Sequence, residues 1–272
     1  MAETLAMPFT ELPTAPGQIL SLAERTIIIT GAAQGIGQAV AQLSHNLGAS
    51  VVAVDMNGEA LDAWAASVGG ERVMTAVGSV GEEGFAEQVV ADAVARFGDV
   101  DGLVNNAGIS RAAMIEKMTA QQWQDVLGIN LTGAFYFLQA AGRHMIAQAK
   151  AGKPSRASIV NISSDGGRRG SIGQINYSSA KSGMFGLTMS AAREWAKHGI
   201  RVNSVAFGVV ETPMTETIRG DKFRDGMLDM IPMKRFSNTA EVVPPICFLL
   251  SDGASYITGQ NLSVNGGYTI SL

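Results

Sequence analysis

Three residues have types and spacing suited to proton transfer: Ser164, Tyr177 and Lys181. The tyrosine follows the serine by 13 positions and the lysine follows the tyrosine by 4, in the run Tyr177-Ser178-Ser179-Ala180-Lys181. On a helix, positions i and i+4 share a face one turn apart, so the phenol and the ammonium stand side by side. A phenol ordinarily loses its proton near pH ~10. A fixed positive charge beside it favours phenolate and lowers that value. Tyr177 is therefore expected to give or take a proton near neutral pH. Ser164 follows the apolar run Ala157 to Ile162, which predicts a strand, and its hydroxyl is placed to hold a substrate oxygen within reach of the phenol. The same Tyr-x-x-x-Lys spacing is common on solvated helix surfaces, so its meaning depends on what surrounds it.

The elements that must position these groups alternate along the chain. Residues 25–30 are a β-branched apolar run that predicts a buried parallel strand. Thr30-Gly31-Ala32-Ala33-Gln34-Gly35-Ile36-Gly37 follows, opening a helix expected over residues 35–47. Its glycines permit a tight turn and let a pyrophosphate approach the backbone at a helix N-terminus, although their spacing differs from the common G-x-G-x-x-G. Residues 48–55 predict a second strand ending in Asp55, 24 residues after Gly31. An acid there accepts hydrogen bonds from adenosine ribose hydroxyls and repels a 2′-phosphate. Met56 and Asn57 are uncharged and Gln34 stands where a base would help hold that phosphate, so the pattern points to NAD(H) over NADP(H). As a structural residue, Asp55 would instead cap the next helix.

Residues 73–80 give a short third strand, and a helix runs to about residue 97. Residues 101–108 are a fourth strand entering the turn Asn105-Asn106-Ala107-Gly108, which can border an adenosine. A helix over 120–146 contains Asn130, a poor helix former, which implies a kink or a held water there unless it lies on the surface. Residues 150–156 form a basic, solvated turn. The helix carrying Tyr177 and Lys181 runs to about 198, and residues 200–206 are the sixth strand. Residues 213–235, rich in methionine and charge, predict a mobile lid, in which Met214, Met227, Met230 and Met233 either line a pocket or pack the lid. Residues 240–250 are a last helix and 258–267 a last strand and turn. About seven strands alternating with helices imply an α/β fold: one doubly wound parallel sheet with helices on both faces. Residues 1–23 read as an N-terminal arm and 24–272 as a single domain.

Of the 272 residues, 46% are hydrophobic and 16% charged, enough to bury a large core. A net charge of −4 argues against nucleic acid as the main partner. The lone cysteine, Cys247, allows no intrachain disulfide, reads as a core hydrophobe and fits a reducing cytoplasm. His45, His144 and His198 lack ligand spacing, so no metal site is expected. Residues 26–54 carry no Asp, Glu, Lys or Arg but are broken by glycines and amides, which excludes a membrane span there.

In this order the motifs resemble the short-chain dehydrogenase/reductase family, and the likeness covers about residues 24–270. The glycine turn, Asn105 to Gly108, Asn130, Ser164, Tyr177, Lys181 and residues 203–212 together are far more specific than any one of them. The resemblance implies a Rossmann-type sheet and a set of roles. Tyr177 would be the general acid/base. Lys181 would lower its pKa and bond the nicotinamide ribose. Ser164 would hold the substrate oxygen, and Asn130 would hold a water in a proton relay behind Lys181. Gly31, Gln34, Gly35, Ile36 and Gly37 would surround the cofactor. Asp55, Met56, Ser79, Val80, Asn106, Ala107 and Gly108, then Gly208, Val210 and Thr212, complete its expected contacts, with Val210 and Thr212 orienting the carboxamide. Hydride would pass between nicotinamide C4 and a carbinol or carbonyl carbon.

Two residues depart from the family pattern: Ser79 replaces an aspartate that contacts adenine, and Phe207 replaces the proline before Gly208. The family's usual assembly implies a homotetramer contacting through the helices of 120–146 and 177–198. The leading reading is an NAD(H)-dependent dehydrogenase of a secondary alcohol, polyol or the matching ketone. The alternative, suggested by residues 240–268, is a 3-oxoacyl-carrier-protein reductase. Such reductases usually take NADPH, against which Asp55 argues. A dinucleotide-binding sensor without turnover is a third reading, disfavoured by the intact Asn130, Ser164, Tyr177 and Lys181 set.

Overall fold

Thr26–Thr30 (β1) is buried along its whole length, as the centre of a parallel sheet requires. The computed structural model describes residue 17 and residues 19–153 and 156–270. The chain continues through α1 (Gly35–Asn46), β2 (Ser50–Asp55), α2 (Gly58–Val68), β3 (Val73–Val77), α3 (Phe85–Phe97) and β4 (Gly102–Asn105). It then forms α4 (Ala120–Leu127), α5 (Ala134–Lys150), β5 (Ser158–Ser164), a single turn α6 (Gly166–Arg169), α7 (Ile175–Trp195) and β6 (Arg201–Phe207). Short helices α8 (Glu216–Arg219), α9 (Asp221–Met230), α10 (Thr239–Val242) and α11 (Pro244–Leu250) precede β7 (Asn261–Val264).

The strands form one seven-stranded sheet in the order β3-β2-β1-β4-β5-β6-β7. Every pairing is parallel. Alternation along each strand divides the core between two layers. Ile27, Ile29, Val51 and Ala53 face α1 and α11, while Ile28, Val52, Val54 and Leu103 face α3, α5 and α7. The order reverses between β1 and β4, and the loops leaving their carboxyl ends part to opposite faces. In such sheets that point opens a ligand crevice.

Several predicted elements are cut differently. The helix expected over 120–146 is interrupted by a π-helical turn, Gly128–Gly133. Two contacts account for it. Asn130 bonds both ways with the backbone of Ile109 (2.8 and 3.0 Å), and a Cβ on Gly133 would sit 2.7 Å from Val80 Cγ2, so the helix surface here is set by its neighbours. The last helix is two pieces, because Pro244 and Pro245 suit a first turn and not a helix interior. The third strand ends at Val77, where Gly78 turns and its N–H donates to Asp55 O. Of the expected arm, residues 1–16 and 18 lie outside the described residues, while Leu22 is buried and donates to Leu47 O.

Close helix packing gives a direct test. An alanine Cβ at Gly142 on α5 would lie 2.5 Å from the Trp195 ring on α7. Overpacking of this kind costs about 1–3 kcal/mol. Gly142→Ala is expected to lower the melting temperature by about 2–4 °C per kcal/mol lost, and trimming the ring with Trp195→Val should restore it; thermal unfolding of the single and double variants decides.

Candidate active site

A cavity of about 410 Å³ lies at the carboxyl ends of β1, β2, β4, β5 and β6. At one end is the glycine turn. Gly31 has φ +68°, and a Cβ there would stand 2.8 Å from Ala107 Cα, so only glycine fits. Gly37 lies beneath the cavity wall, where a Cβ would come within 2.0 Å of Gly31 O. Thr30 Oγ1 accepts the N–H groups of Asn106 (3.0 Å) and Ala107 (3.1 Å), and Asn106 Nδ2 donates to the carbonyls of Thr30 (2.9 Å) and Gly31 (3.1 Å). Gln34 precedes α1 without a side-chain cap, so the first N–H groups of this 12-residue helix face the cavity end with no side-chain acceptor. Gln34, Gly35, Ile36, Ala107 and Gly108 line the same end. This cradle fits a dinucleotide pyrophosphate.

Asp55 closes β2 and borders the cavity with Met56, Ser79 and Val80. Its Oδ2 accepts from Ala33 N–H (3.0 Å) and its Oδ1 from Asn57 N–H (3.1 Å). A carboxylate has about four lone-pair sites, so these bonds orient Asp55 without exhausting it. No basic residue joins it: the cations among the lining residues are Arg111 and Lys181.

Ser164, Tyr177 and Lys181 meet at the other end. Ser164 ends β5, its hydroxyl accepts the Gly166 N–H at 3.1 Å, and it lines the cavity together with Tyr177. Tyr177 and Lys181 fall on the first turns of α7, and Asn176 Oδ1 accepts the Tyr177 N–H (2.8 Å). Lys181 is 3% exposed; its Nζ donates to Ile162 O (2.8 Å) and lies 5.8 Å from the Tyr177 ring centre. Ser163 Oγ donates to Lys181 O (2.8 Å), and Asn161 Nδ2 donates to Thr188 Oγ1 (2.9 Å), so α7 is tied to β5 along its length.

The expectation that Lys181 pulls the phenol down is corrected. Burial pushes the Tyr177 phenol above its ordinary value, outweighing the bond from Ser164. Burial also draws Lys181 down to about 8. Both shifts run towards the neutral forms because burial penalises charge, yet with a value near 8 Lys181 stays mostly an ammonium at pH 7, aimed at a carbonyl. Asn130 is fully buried behind the wall, and both its polar side-chain atoms are engaged with Ile109.

Gly208, Val210 and Thr212 line the wall after β6, as predicted, with Phe207 buried at its base. Of the lid methionines only Met214 reaches the cavity. Met227 packs against Val209, Ile231 and Phe236, and Met230 and Met233 face outward. Sequence reasoning missed Ile109 and Arg111, which extend the wall beyond Gly108. Their only signal is position: they follow β4 in a loop that must cross the carboxyl edge.

Burying Lys181 has a measurable cost. The unfolded chain titrates this group near 10.5 and the folded one near 8, so the unfolded state binds more protons between those values and stability rises with pH across them. Removing the buried charge should recover about 3 kcal/mol at neutral pH, less about 1 for the lost hydrogen bond. Lys181→Met is expected to melt higher than the wild type at pH 7, to lose that advantage towards pH 10, and to turn over nothing; melts at both pH values with an activity assay check this.

Comparison with known proteins agrees with this architecture. A family model described as enoyl-(acyl carrier protein) reductase matches residues 31–269. The 3-oxoacyl-[acyl-carrier-protein] reductase FabG of Thermotoga maritima is 40% identical over 253 residues, 92% of this chain and 100% of that enzyme. The structure of the short-chain dehydrogenase/reductase "SDR:Glucose/ribitol dehydrogenase" of Brucella melitensis matches with TM-score 0.84 and 36% identity, covering 92% of this chain and 98% of that one. A Beutenbergia cavernae structure with NADP bound at low occupancy matches with TM-score 0.83 and 35% identity, covering 92% and 98%. With a seven-stranded parallel sheet, a glycine cradle and these matches over nine-tenths of its length, the chain belongs to the short-chain dehydrogenase/reductase family.

Proposed function

We propose that the protein reduces the keto group of a 3-oxoacyl thioester to a secondary alcohol with NADH. The observation that carries this reading is that Ser164, Tyr177 and Lys181 line the same cavity as the glycine cradle. The thioester is preferred to the small polyol first expected from sequence on two grounds. The relative from Thermotoga maritima is a 3-oxoacyl-[acyl-carrier-protein] reductase. The cavity wall also includes Ile109, Pro213 and Met214, which suit an acyl chain and offer a polyol's hydroxyls few partners.

Gly31, Gln34, Gly35 and Ile36 would hold the dinucleotide over Gly37, with Asp55 on the adenosine ribose and Val210 and Thr212 at the carboxamide. The nicotinamide, when bound, supplies the hydride for the carbonyl carbon. Ser164 Oγ holds the keto oxygen, and the Tyr177 O–H delivers its proton to that oxygen as charge develops there. The raised phenol pKa keeps Tyr177 protonated at rest, and the Lys181 cation then stabilises the phenolate left behind. Asn130 acts through Ile109, whose backbone it fixes in the cavity wall. The working form is a cytoplasmic homotetramer. Phe135 on α5 and Met189 on α7 expose apolar surface that such contacts would cover, and no described helix is long and apolar enough to cross a membrane.

Positioned proton transfer contributes roughly 10²–10⁴-fold. Tyr177→Phe should lower kcat on an acetoacetyl thioester by at least about 10²-fold and leave NADH binding within about twofold; unchanged turnover would refute Tyr177 as the proton donor. The wild type should turn over the thioester far better than a small diol in the reverse direction.

The cofactor preference depends on Asp55. The wild type is expected to bind NADH more tightly than NADPH, and Asp55→Ala to shift the ratio towards NADPH by about tenfold, the size of one lost charge repulsion. Titration of both cofactors by fluorescence measures it, and a wild-type preference for NADPH would refute the role given to Asp55.

A further inference from the structure

We propose that Arg111 is a specificity residue that binds an anionic group on the thioester side of the substrate; the inference rests on the thioester reading above. Arg111 and Lys181 are the cationic residues of the cavity wall. Lys181 is buried and engaged with a carbonyl, whereas the Arg111 side chain is 51% exposed. Its guanidinium holds five donors. One bonds the neighbouring Ser110 O (3.2 Å), and Nε stands 3.9 Å from Asp125 Oδ2, the outer limit of an ion pair. An exposed pair at that range is worth about 0–1 kcal/mol, so the fork is left open to a ligand.

The backbone beneath this side chain is held firmly. Asn176, fully buried, donates from Nδ2 to Arg111 O and Gln122 O, both at 3.0 Å, while its Oδ1 accepts the Tyr177 N–H. Gln174 Nε2 donates to Ser110 Oγ (3.2 Å), and Ala113 N–H donates to Gly173 O (2.9 Å). The loop carrying Arg111 is thus joined at three points to the four residues before Tyr177. A fixed backbone with an uncommitted guanidinium is the arrangement that reads a planar oxyanion. These bonds also place Arg111 on the Tyr177 side of the cavity, away from Asp55 and the glycine cradle, so the anion it faces belongs to the substrate. A small polyol carries none. A thioester arm bearing a phosphate does, and so does a substrate ending in a carboxylate.

The test is steady-state kinetics with three 3-oxobutanoyl thioesters that share one acyl group: the neutral N-acetylcysteamine thioester, the phosphate-bearing phosphopantetheine thioester, and a thioester whose thiol arm ends in a carboxylate. The wild type should favour an anionic substrate over the neutral one by about tenfold or more in kcat/KM, mainly through KM. Which anion is preferred distinguishes phosphate from carboxylate. Arg111→Ala should remove that ratio, Arg111→Glu reverse it, and Arg111→Lys keep part of it, with KM for the anionic substrate rising with salt in the wild type. An equal loss by Arg111→Ala on all three substrates would overturn the assignment and make Arg111 structural. Turnover of the neutral thioester with no anionic preference in the wild type would overturn it alone. No turnover of any thioester would overturn both it and the thioester reading.

Discussion

Thr30 and Asn106 join the carboxyl ends of the two central strands, and the site hangs from that joint. The Thr30 hydroxyl accepts two N–H groups from the β4 turn, and the Asn106 amide returns two bonds to the β1 turn. Each such bond is worth only about 0.5–1.5 kcal/mol net, but together they fix where two loops part to opposite faces of the sheet. The parting opens the crevice, and close approach of α1 to the turn, which only glycine at position 37 allows, floors it. Change the joint and the cradle, the β4 loop and Ile109 beyond it all move.

The second half of the site is held by a polar ladder through the core. Asn105 donates to Asn161, Asn161 to Thr188, and Thr188 to Met184 O. Asn105 Oδ1 finds no partner among the described residues, but the directed bonds that are made tie β4, β5 and α7 in register. That register carries Ser164 and Lys181 to their places. Lys181 itself opposes stability: an ammonium with a carbonyl for a partner is a buried charge only partly compensated. Retaining it makes sense where a negative charge is to appear nearby, as it would on a Tyr177 phenolate. The same burial that raises the phenol also strengthens its coupling to the cation once both are charged.

Much of this was legible in the residues. The β-branched runs marked the strands because both faces of a parallel strand are buried, and the glycine turn and the Tyr177–Lys181 spacing brought the expected residues to one cavity. What escaped was of another kind. The direction of the Tyr177 shift is set by loss of water, which outweighs the opposing effect of Ser164, and spacing shows neither. The π-helical turn at Gly128–Gly133 comes from Val80 and Ile109, distant in sequence, pressing on one helix. Arg111 sits in a loop whose path is set by Asn176, 65 positions later, so no local pattern points to it. The lid methionines could not be sorted by type, since one faces the cavity and another a small separate core.

Asp55 shows why a structural and a functional reading of one residue need not compete. Its carboxylate accepts N–H groups from the glycine turn and from the start of the next loop, which is the work of a strand-end cap. The same two contacts hold the carboxylate at the cavity rim. They also point it, because two of its acceptor sites are occupied and the remaining ones face outward. An acid that merely ended a strand would serve with its charge turned anywhere. Here the turn that would receive the pyrophosphate and the acid that would meet the ribose are bonded to each other through Ala33. On the NADH reading proposed above, selection between cofactors would be a property of the cradle's own folding: a 2′-phosphate would have to approach a carboxylate bonded to the turn through Ala33.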